Sequence, residues 1–252
     1  MFRLAYKEIF FIAFIGILIL TVINLIWVDN IFIFSFTAVI GSVFASIIVS
    51  IIYQNILHDS FQLYRKIGLR KTFHNFEEAL DPIRGDISRS REIDILFMFG
   101  SSFINNSSSY LIKALSNKST KMRIFIFSET NPYTESYGGQ WGADNEKYNK
   151  DGIVRLISNS RNDIKKIYED IDENKRGSLE IYELKNSALS YSFYKMDDHL
   201  YFVPTKLTTY KFYKHPVFLF KKTKDESNMF NSINKEIENM INKQEIDKIY
   251  PG

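Results

Sequence analysis

Residues 9–28 read IFFIAFIGILILTVINLIWV and residues 31–56 read IFIFSFTAVIGSVFASIIVSIIYQNI, with no charged side chain in either run. A helix needs about 20 apolar residues to cross the roughly 30 Å core of a bilayer, and both runs reach that length. Backbone polar groups in lipid must be satisfied within the segment, which favours helices over strands. The sequence therefore predicts a two-helix transmembrane hairpin over residues 1–56, with helices at about 9–28 and 31–56.

Basic residues flank this hairpin at both ends: Arg3 and Lys7 before it, and Arg65, Lys66, Arg70 and Lys71 after it. Because Lys and Arg are retained on the cytoplasmic side of a membrane, both termini are expected to be cytoplasmic. The predicted location is the inner (cytoplasmic) membrane, as a multi-pass protein whose first partner is the lipid bilayer. Residues 57–82 are predicted to form a linker helix that leaves this membrane.

The second apolar run carries small residues at three- and four-residue spacing, namely Ala38, Gly41, Ser42, Ala45, Ser46 and Ser50. Small side chains allow helix backbones to approach closely, and serines can donate hydrogen bonds across the contact. This face is predicted either to pack against the first helix of the same chain or to contact other copies in a homo-oligomer.

Residues 59–252 comprise about 194 residues, which suffices for one globular domain. The formal net charge of +3 is too weak a bias to indicate nucleic-acid binding, so no nucleic-acid partner is expected. The chain has no cysteine, and its four histidines are scattered without metal-ligand spacing. No metal and no cofactor are predicted.

The residues after the linker alternate between strand and helix patterns before a strand-rich region. Strands are predicted at 93–99, 122–127, 179–184, 189–196, 200–203, 208–213 and 217–220, and helices at 107–115, 153–171 and 229–241. This order predicts an α/β domain with a mixed sheet and flanking helices over residues 83–245, followed by a tail at 246–252. Residues 137–144 are expected to form a loop with an exposed Trp141, either a lid or a plain surface loop.

A polar signature lies in the strand-rich region, where residues 190–197 read SYSFYKMD. Together with the order of elements over roughly residues 70–245, it resembles one half of a phospholipase D-like domain of the HKD superfamily. That family carries a His-x-Lys-x-x-x-x-Asp signature. Asp197 matches the family's Asp, but Ser190 stands at the His position and Ser192 at the Lys position. Pro204-Thr205 stands where the family has Gly-Ser.

The resemblance implies an imidazole that attacks phosphorus and a lysine that holds the phosphoryl oxygens, and serine supplies neither. The domain is therefore expected to be catalytically inactive, with no catalytic residue. It is expected to use the same pocket to bind a nucleotide or other phosphate-bearing ligand, through Ser190, Ser192, Lys195 and Asp197. Because family halves pair about a two-fold axis, a homodimer or higher homo-oligomer is implied.

Two further groups of polar residues have more than one interpretation. Ser101 and Ser102 follow the first buried strand, where helix N-terminal amides can bind phosphate, or where serines simply cap a strand-to-helix turn. Asp197, Asp198 and His199 are adjacent. They fit either an acid–base or metal role or an ordinary turn at a strand end.

Three functions remain open. In the first, the chain is a non-enzymatic membrane-anchored sensor-effector that binds a phosphate-bearing ligand and perturbs the membrane, similar to two-helix effectors of bacterial anti-phage defence. In the second, it is a membrane-anchored phosphodiesterase, nuclease or phospholipase of the phospholipase D-like class. The third is a membrane scaffold that binds no small molecule. Fold-level analogy alone supports the first.

Overall fold

The structure is a computed structural model that describes residues 6–26, 31–142, 145–204, 215–243 and 246–250. The chain divides into two compact units, residues 1–63 (unit 1) and residues 64–252 (unit 2). The helices are α1 (Tyr6–Ile26), α2 (Ile31–Ile67), α3 (Phe76–Ile87), α4 (Ser101–Asn106), α5 (Ser108–Leu115), α6 (Tyr133–Gly142), α7 (Lys150–Glu169) and α8 (Met229–Asn242). The strands are β1 (Leu69–Phe73), β2 (Glu92–Phe97), β3 (Lys121–Phe127), β4 (Ser178–Leu184), β5 (Tyr191–Met196), β6 (His199–Pro204), β7 (Val217–Lys221) and β8 (Ile246–Tyr250).

The prediction of a transmembrane hairpin requires correction. Among the described residues, no helix combines the length with the sustained apolar character that a bilayer crossing demands. The observed helices do not coincide with the charge-free runs at 9–28 and 31–56. Helix α1 (Tyr6–Ile26) includes Lys7 and Glu8 in its first turn, and α2 (Ile31–Ile67) continues through Asp59, Arg65 and Lys66. The transmembrane fold class and the location as a multi-pass inner-membrane protein are therefore wrong.

Among the small residues of α2, Gly41 contacts α1, and two serines form hydrogen bonds within their own helix. Gly41 lies against α1, since a Cβ there would lie 3.6 Å from Leu20 Cδ1. The serines turn back onto their own helix: Ser42 Oγ donates to Val39 O at 2.9 Å and Ser46 Oγ donates to Ser42 O at 2.8 Å. Ala38, Ala45 and Ser50 are exposed. These hydroxyls thus satisfy themselves locally, as serines in helix interiors commonly do.

Unit 2 is built on an eight-stranded mixed sheet with the order β1-β7-β6-β5-β2-β3-β4-β8. The pairs β2–β3 and β3–β4 are parallel, and all other neighbours are antiparallel. The parallel strands are nearly continuous apolar runs, which is typical of strands that are buried on both faces. Helices form the crossovers between these parallel strands. The predicted mixed sheet with flanking helices is present, and the predicted strand at 208–213 lies outside the described residues.

The two faces of the sheet have different coverings. One face, here called the α3 face, packs against α3, α4 and α7 through contacts such as Phe76 and Phe103 with the ring of Tyr194. The opposite face, here called the α8 face, packs against α8, whose Phe230, Ile233 and Ile237 are buried. Alternation along each strand assigns neighbouring residues to opposite faces.

Gly68 ends α2 and starts the sheet. Its φ of +84° is a left-handed conformation that glycine adopts without a Cβ penalty, as is common just after a helix C-terminus. The Gly68 carbonyl accepts a hydrogen bond from Lys221 N at 2.8 Å, and a Cβ there would lie 2.6 Å from Lys221 O. The segment predicted as one linker helix over 57–82 is thus the end of α2, the strand β1 and the start of α3.

Residues 133–142 form the helix α6 rather than a loop, and Trp141 is buried at 4 % exposure. The glycines explain the difference, because α6 packs backbone to backbone on the segment that leads into α7. A Cβ at Gly138 would lie 2.5 Å from Lys150 N, and one at Gly142 would lie 2.6 Å from Asn149 Cα. Residues 246–250, placed in a tail by the sequence, pair with β4 as the edge strand β8.

The close packing of α6 gives a prediction with an internal control. Gly138→Ala should lower the free energy of unfolding by about 1–3 kcal/mol, because the added methyl has no space. Gly139→Ala should instead raise it by up to about 1 kcal/mol, since a Cβ there meets nothing within 4 Å and alanine favours helix. Urea denaturation of the full chain measures both, and equal effects of the two substitutions would contradict this packing.

Candidate functional site

A row of charged side chains crosses the α8 face of the sheet. Asp94 on β2 lies beside Lys195 on β5 and Arg123 on β3, because the strand registers pair Asp94 with both residues. Lys195 Nζ donates to Asp94 Oδ2 at 2.7 Å, and Arg123 donates to both oxygens from Nε at 2.6 Å and Nη2 at 3.0 Å. Arg123 also pairs with Glu238 of α8 at 3.1 Å. The row ties three strands and the covering helix together.

Asp94 is ionised within this row. Burial alone would raise the pKa of its carboxyl, but the hydrogen bond from Arg123 and the charge of Lys195 outweigh burial and lower the pKa below its ordinary value. Lys195 is only 3 % exposed, with its ammonium also 5.3 Å from the centre of the Phe230 ring. A ligand-binding role was predicted for Lys195, and the structure places it in a buried ion pair on the α8 face.

The serines predicted to bind ligand lie near the carboxyl end of β2, a central strand of the sheet. Phe193 of β5 pairs with Leu96 near the end of β2, so Ser190 and Ser192 lie beside the carboxyl end of β2. Ser101 and Ser102 begin α4 directly after that strand end. The tilted contact between the rings of Phe103 and Tyr194, with centres 4.7 Å apart, packs α4 against β5. We call Ser102, Ser190, Ser192 and Tyr194 the hydroxyl cluster.

Ser101 differs from the others because its hydroxyl is used in packing. It lies 2.9 Å from Ser160 Oγ and donates to Leu156 O at 3.1 Å, both on α7. Ser160 in turn accepts from Gly100 N at 2.9 Å. These bonds anchor the start of α4 to α7, whereas Ser102 and Ser190 are exposed.

Two members of the hydroxyl cluster have no hydrogen-bond partner among the described residues. Ser192 is 8 % exposed and Tyr194 is 4 % exposed, and both lie on the α3 face of β5. Burial raises the pKa of the Tyr194 hydroxyl. Neither hydroxyl oxygen is a fully enclosed atom, so both are open to a ligand or to water.

Asp197 lies at the opposite end of β5. It is exposed, closes the turn between β5 and β6, and adopts a φ of 43°, a left-handed conformation that aspartate tolerates. Its Oδ1 accepts from Arg91 N at 3.0 Å and Glu92 N at 2.9 Å. The structure thus places Asp197 apart from Ser190 and Ser192. Pro204 ends β6, and Thr205 lies outside the described residues.

Sequence reasoning missed a second polar arrangement on the α3 face. His199 Nδ1 lies 2.9 Å from Asp86 Oδ2, and the Tyr201 hydroxyl donates to the same oxygen at 2.8 Å. Arg89 Nη2 donates to Asp86 Oδ1 at 2.9 Å. Asp86 lies near the end of α3 and His199 on β6, so only the tertiary fold brings them together. The sequence grouped His199 with Asp198, whose Oδ1 is 3.8 Å from His199 Nε2.

Within the described ranges, no group of three or more acidic or histidine side chains is arranged to hold a metal ion. No family model and no curated protein matches the chain. Among solved structures, TrmBL2, an archaeal chromatin protein whose structure is described as showing a novel mode of DNA binding, aligns with a TM-score of 0.38 and 11 % identity. The alignment covers 86 % of this chain and 70 % of that one, and a likeness this low carries no argument.

The ion row predicts a large and pH-dependent effect of Asp94→Asn. Removing one partner of a buried pair leaves uncompensated charge and should cost about 3–5 kcal/mol of unfolding free energy at pH 7. Because the folded pKa of Asp94 is lowered, its contribution is present above the unfolded pKa of about 4 and is lost as the pH falls through the folded pKa. In urea denaturation, the difference in unfolding free energy between Asp94→Asn and the unsubstituted chain should therefore become smaller below about pH 4.

The double variant Asp94→Leu with Lys195→Met serves as the control. It removes the Asp94–Lys195 pair rather than one partner, and Arg123 keeps Glu238. It should be less destabilised than Asp94→Asn, since apolar replacements of buried pairs are often tolerated. If Asp94→Asn were as stable as the unsubstituted chain, the charged row would not stabilise the sheet as described.

Proposed function

We propose that the chain is a non-enzymatic sensor in which unit 2 binds a small ligand at the hydroxyl cluster. The ligand class that the family resemblance suggests is a nucleotide or another phosphate-bearing compound. The observation that carries the proposal is the pair Ser192 and Tyr194, two hydroxyls on neighbouring same-face positions that form no hydrogen bond with a described residue and are not sealed from solvent. A ligand's acceptor atoms would add about 0.5–1.5 kcal/mol for each hydrogen bond that they form with these hydroxyls.

The position of the cluster supports the same proposal. Open α/β sheets bind ligands outside the carboxyl ends of their strands, and the cluster lies at the carboxyl end of β2. Phe103 and Phe76 flank Tyr194 and supply the apolar wall that small-molecule sites combine with a few polar groups.

The side chains of β5 argue against catalysis at the hydroxyl cluster. The signature positions hold Ser190 and Ser192, and the lysine that does lie on β5 is paired with Asp94 on the opposite face. A site of neutral hydroxyls can hold a phosphate by hydrogen bonds but lacks an imidazole nucleophile and a cation to stabilise the transition state.

A second candidate function, phosphodiester hydrolysis, is favoured by one observation, the contact between His199 and Asp86. An imidazole held through Nδ1 by a carboxylate is the arrangement of a general base. His199 lies next to the β5–β6 turn, at the other end of these strands from the hydroxyl cluster. His199→Gln should then remove hydrolysis while leaving ligand binding at Ser192 unchanged.

Calorimetric titration of the full chain tests the proposed sensor. The panel consists of inorganic phosphate, nucleoside monophosphates and cyclic nucleotides, with the unphosphorylated nucleosides beside them. Ser192→Ala and Tyr194→Phe should each raise the dissociation constant of the compound that binds by about tenfold, which is the effect of losing one hydrogen bond to the ligand. Neither should lower the unfolding free energy appreciably, because neither hydroxyl has a partner among the described residues.

Tyr191→Phe is the matched control on the same strand. The Tyr191 hydroxyl donates to Glu236 of α8 at 2.6 Å on the opposite face, so its loss should cost about 1 kcal/mol of stability without changing affinity. Absence of binding by every compound in the panel, or equal losses of affinity in Tyr191→Phe and Tyr194→Phe, would refute the proposed site.

A further inference from the structure

The edge of unit 2 formed by β1 carries a concentration of cationic side chains. Six exposed basic residues belong to it: Arg65 and Lys66 in the last turn of α2, Arg70 and Lys71 on β1, and Lys222 and Lys224 just after β7. We call this set the β1 basic edge. None of the six forms an ion pair with any residue that the structure describes, whereas the neighbouring Lys221 is paired with Asp198 at 3.1 Å.

Backbone pairing brings these residues onto one edge. β1 pairs with β7 through Leu69 with Phe220, and the Gly68 carbonyl accepts from Lys221 N, so the end of α2 meets the end of β7. Hydrogen bonds from Ser227 lower the pKa of Asp225, and the charge of Lys66 contributes to that lowering, so Lys66 lies near the segment that follows β7. β1 is the last strand in the described part of the sheet, so no described strand pairs with its outer edge.

The net charge of the chain conceals this local excess. Basic residues elsewhere in unit 2 are commonly neutralised by carboxylates, as in the pairs of Arg123 with Asp94, Arg161 with Glu183 and Lys248 with Glu180. A formal charge of +3 therefore coexists with a surface whose six cations form no ion pair with a described residue. A surface of this kind attracts a polyanion, with affinity that falls as salt rises.

We propose that the β1 basic edge binds the phosphate backbone of single-stranded nucleic acid without sequence preference. Within residues 64–74 the exposed large hydrophobic side chain is Tyr64, at 49 % exposure, next to Arg65 and Lys66. Proteins that bind single-stranded nucleic acid commonly place cations beside an exposed aromatic ring. The cations contact phosphates and the ring stacks on a base. The strand β1 itself presents cations rather than apolar side chains, because Leu69 is partly buried and Phe73 is buried.

Fluorescence anisotropy of the full chain with a labelled oligothymidylate of about 20 nucleotides tests this proposal. Six phosphate contacts predict a slope of log affinity against log salt of about −4, and Arg70→Gln with Lys71→Gln should reduce its magnitude by about 1.4. The same variant should bind about tenfold more weakly, and Lys222→Gln with Lys224→Gln should reproduce both effects. Tyr64→Ala should weaken binding at least about fivefold with little change in slope.

Lys113→Gln with Lys118→Gln is the matched control, since it removes two exposed basic residues from a different part of unit 2. No binding by the unsubstituted chain at low salt would overturn the proposal. Equal losses in the control and the edge variants would also overturn it, because net charge alone would then explain the effect. The edge variants could also lose binding to phosphatidylglycerol vesicles while binding the oligonucleotide as tightly as the unsubstituted chain does. That result would assign the edge to lipid headgroups and would likewise overturn the proposal.

Discussion

The carboxylate of Asp94 is the constraint on which unit 2 depends. It is buried between Lys195 and Arg123, and its two oxygens accept hydrogen bonds from both cations. A slip of one residue in β5 or β3 would move the cation to the other face and leave Asp94 buried without compensation. The pairing therefore favours one register across the middle of the sheet, and that register decides what every neighbouring side chain faces.

The same register determines the chemistry of β5. Because Lys195 faces α8, Ser192 and Tyr194 face α3 and α4, and the strand presents hydroxyls and no charge at the carboxyl end of β2. The two polar systems of this strand are thus separated by the sheet itself. One holds the fold together with ion pairs, and the other presents two hydroxyls that form no hydrogen bond with a described residue. The proposed binding site without catalytic groups rests on that separation.

The sequence predicted those elements whose own pattern is strong. Continuous apolar runs gave β2 and β3, and a 3.6-residue period gave α7 and α8, to within a few residues at most ends. It failed where tertiary contacts decide. Gly68 turns a helical pattern into a strand, the glycines of α6 permit a close backbone contact, and the charged strand β8 gains its partner only in the sheet. The transmembrane hairpin was a further error, since an apolar run is a statement about composition alone.

For the candidate site, the sequence proposed Ser190, Ser192 and Ser102 as ligand-binding residues from two separate patterns, but it could neither place them at one strand end nor assign their faces. One signal was available: Asp94, Arg123 and Lys195 are single charges inside otherwise apolar strands, which predicts mutual pairing once the strands are neighbours. The contact of His199 with Asp86 had no such signal, because a helix end and a strand separated by 113 positions meet only in the fold.

Hydrolysis of bis(p-nitrophenyl) phosphate by the full chain decides whether this domain binds without turnover. We expect a rate equal to that of buffer, with and without added divalent cations, in the unsubstituted chain and in Ser190→Ala with Ser192→Ala alike. A rate above buffer that disappears in that double variant would contradict binding without turnover.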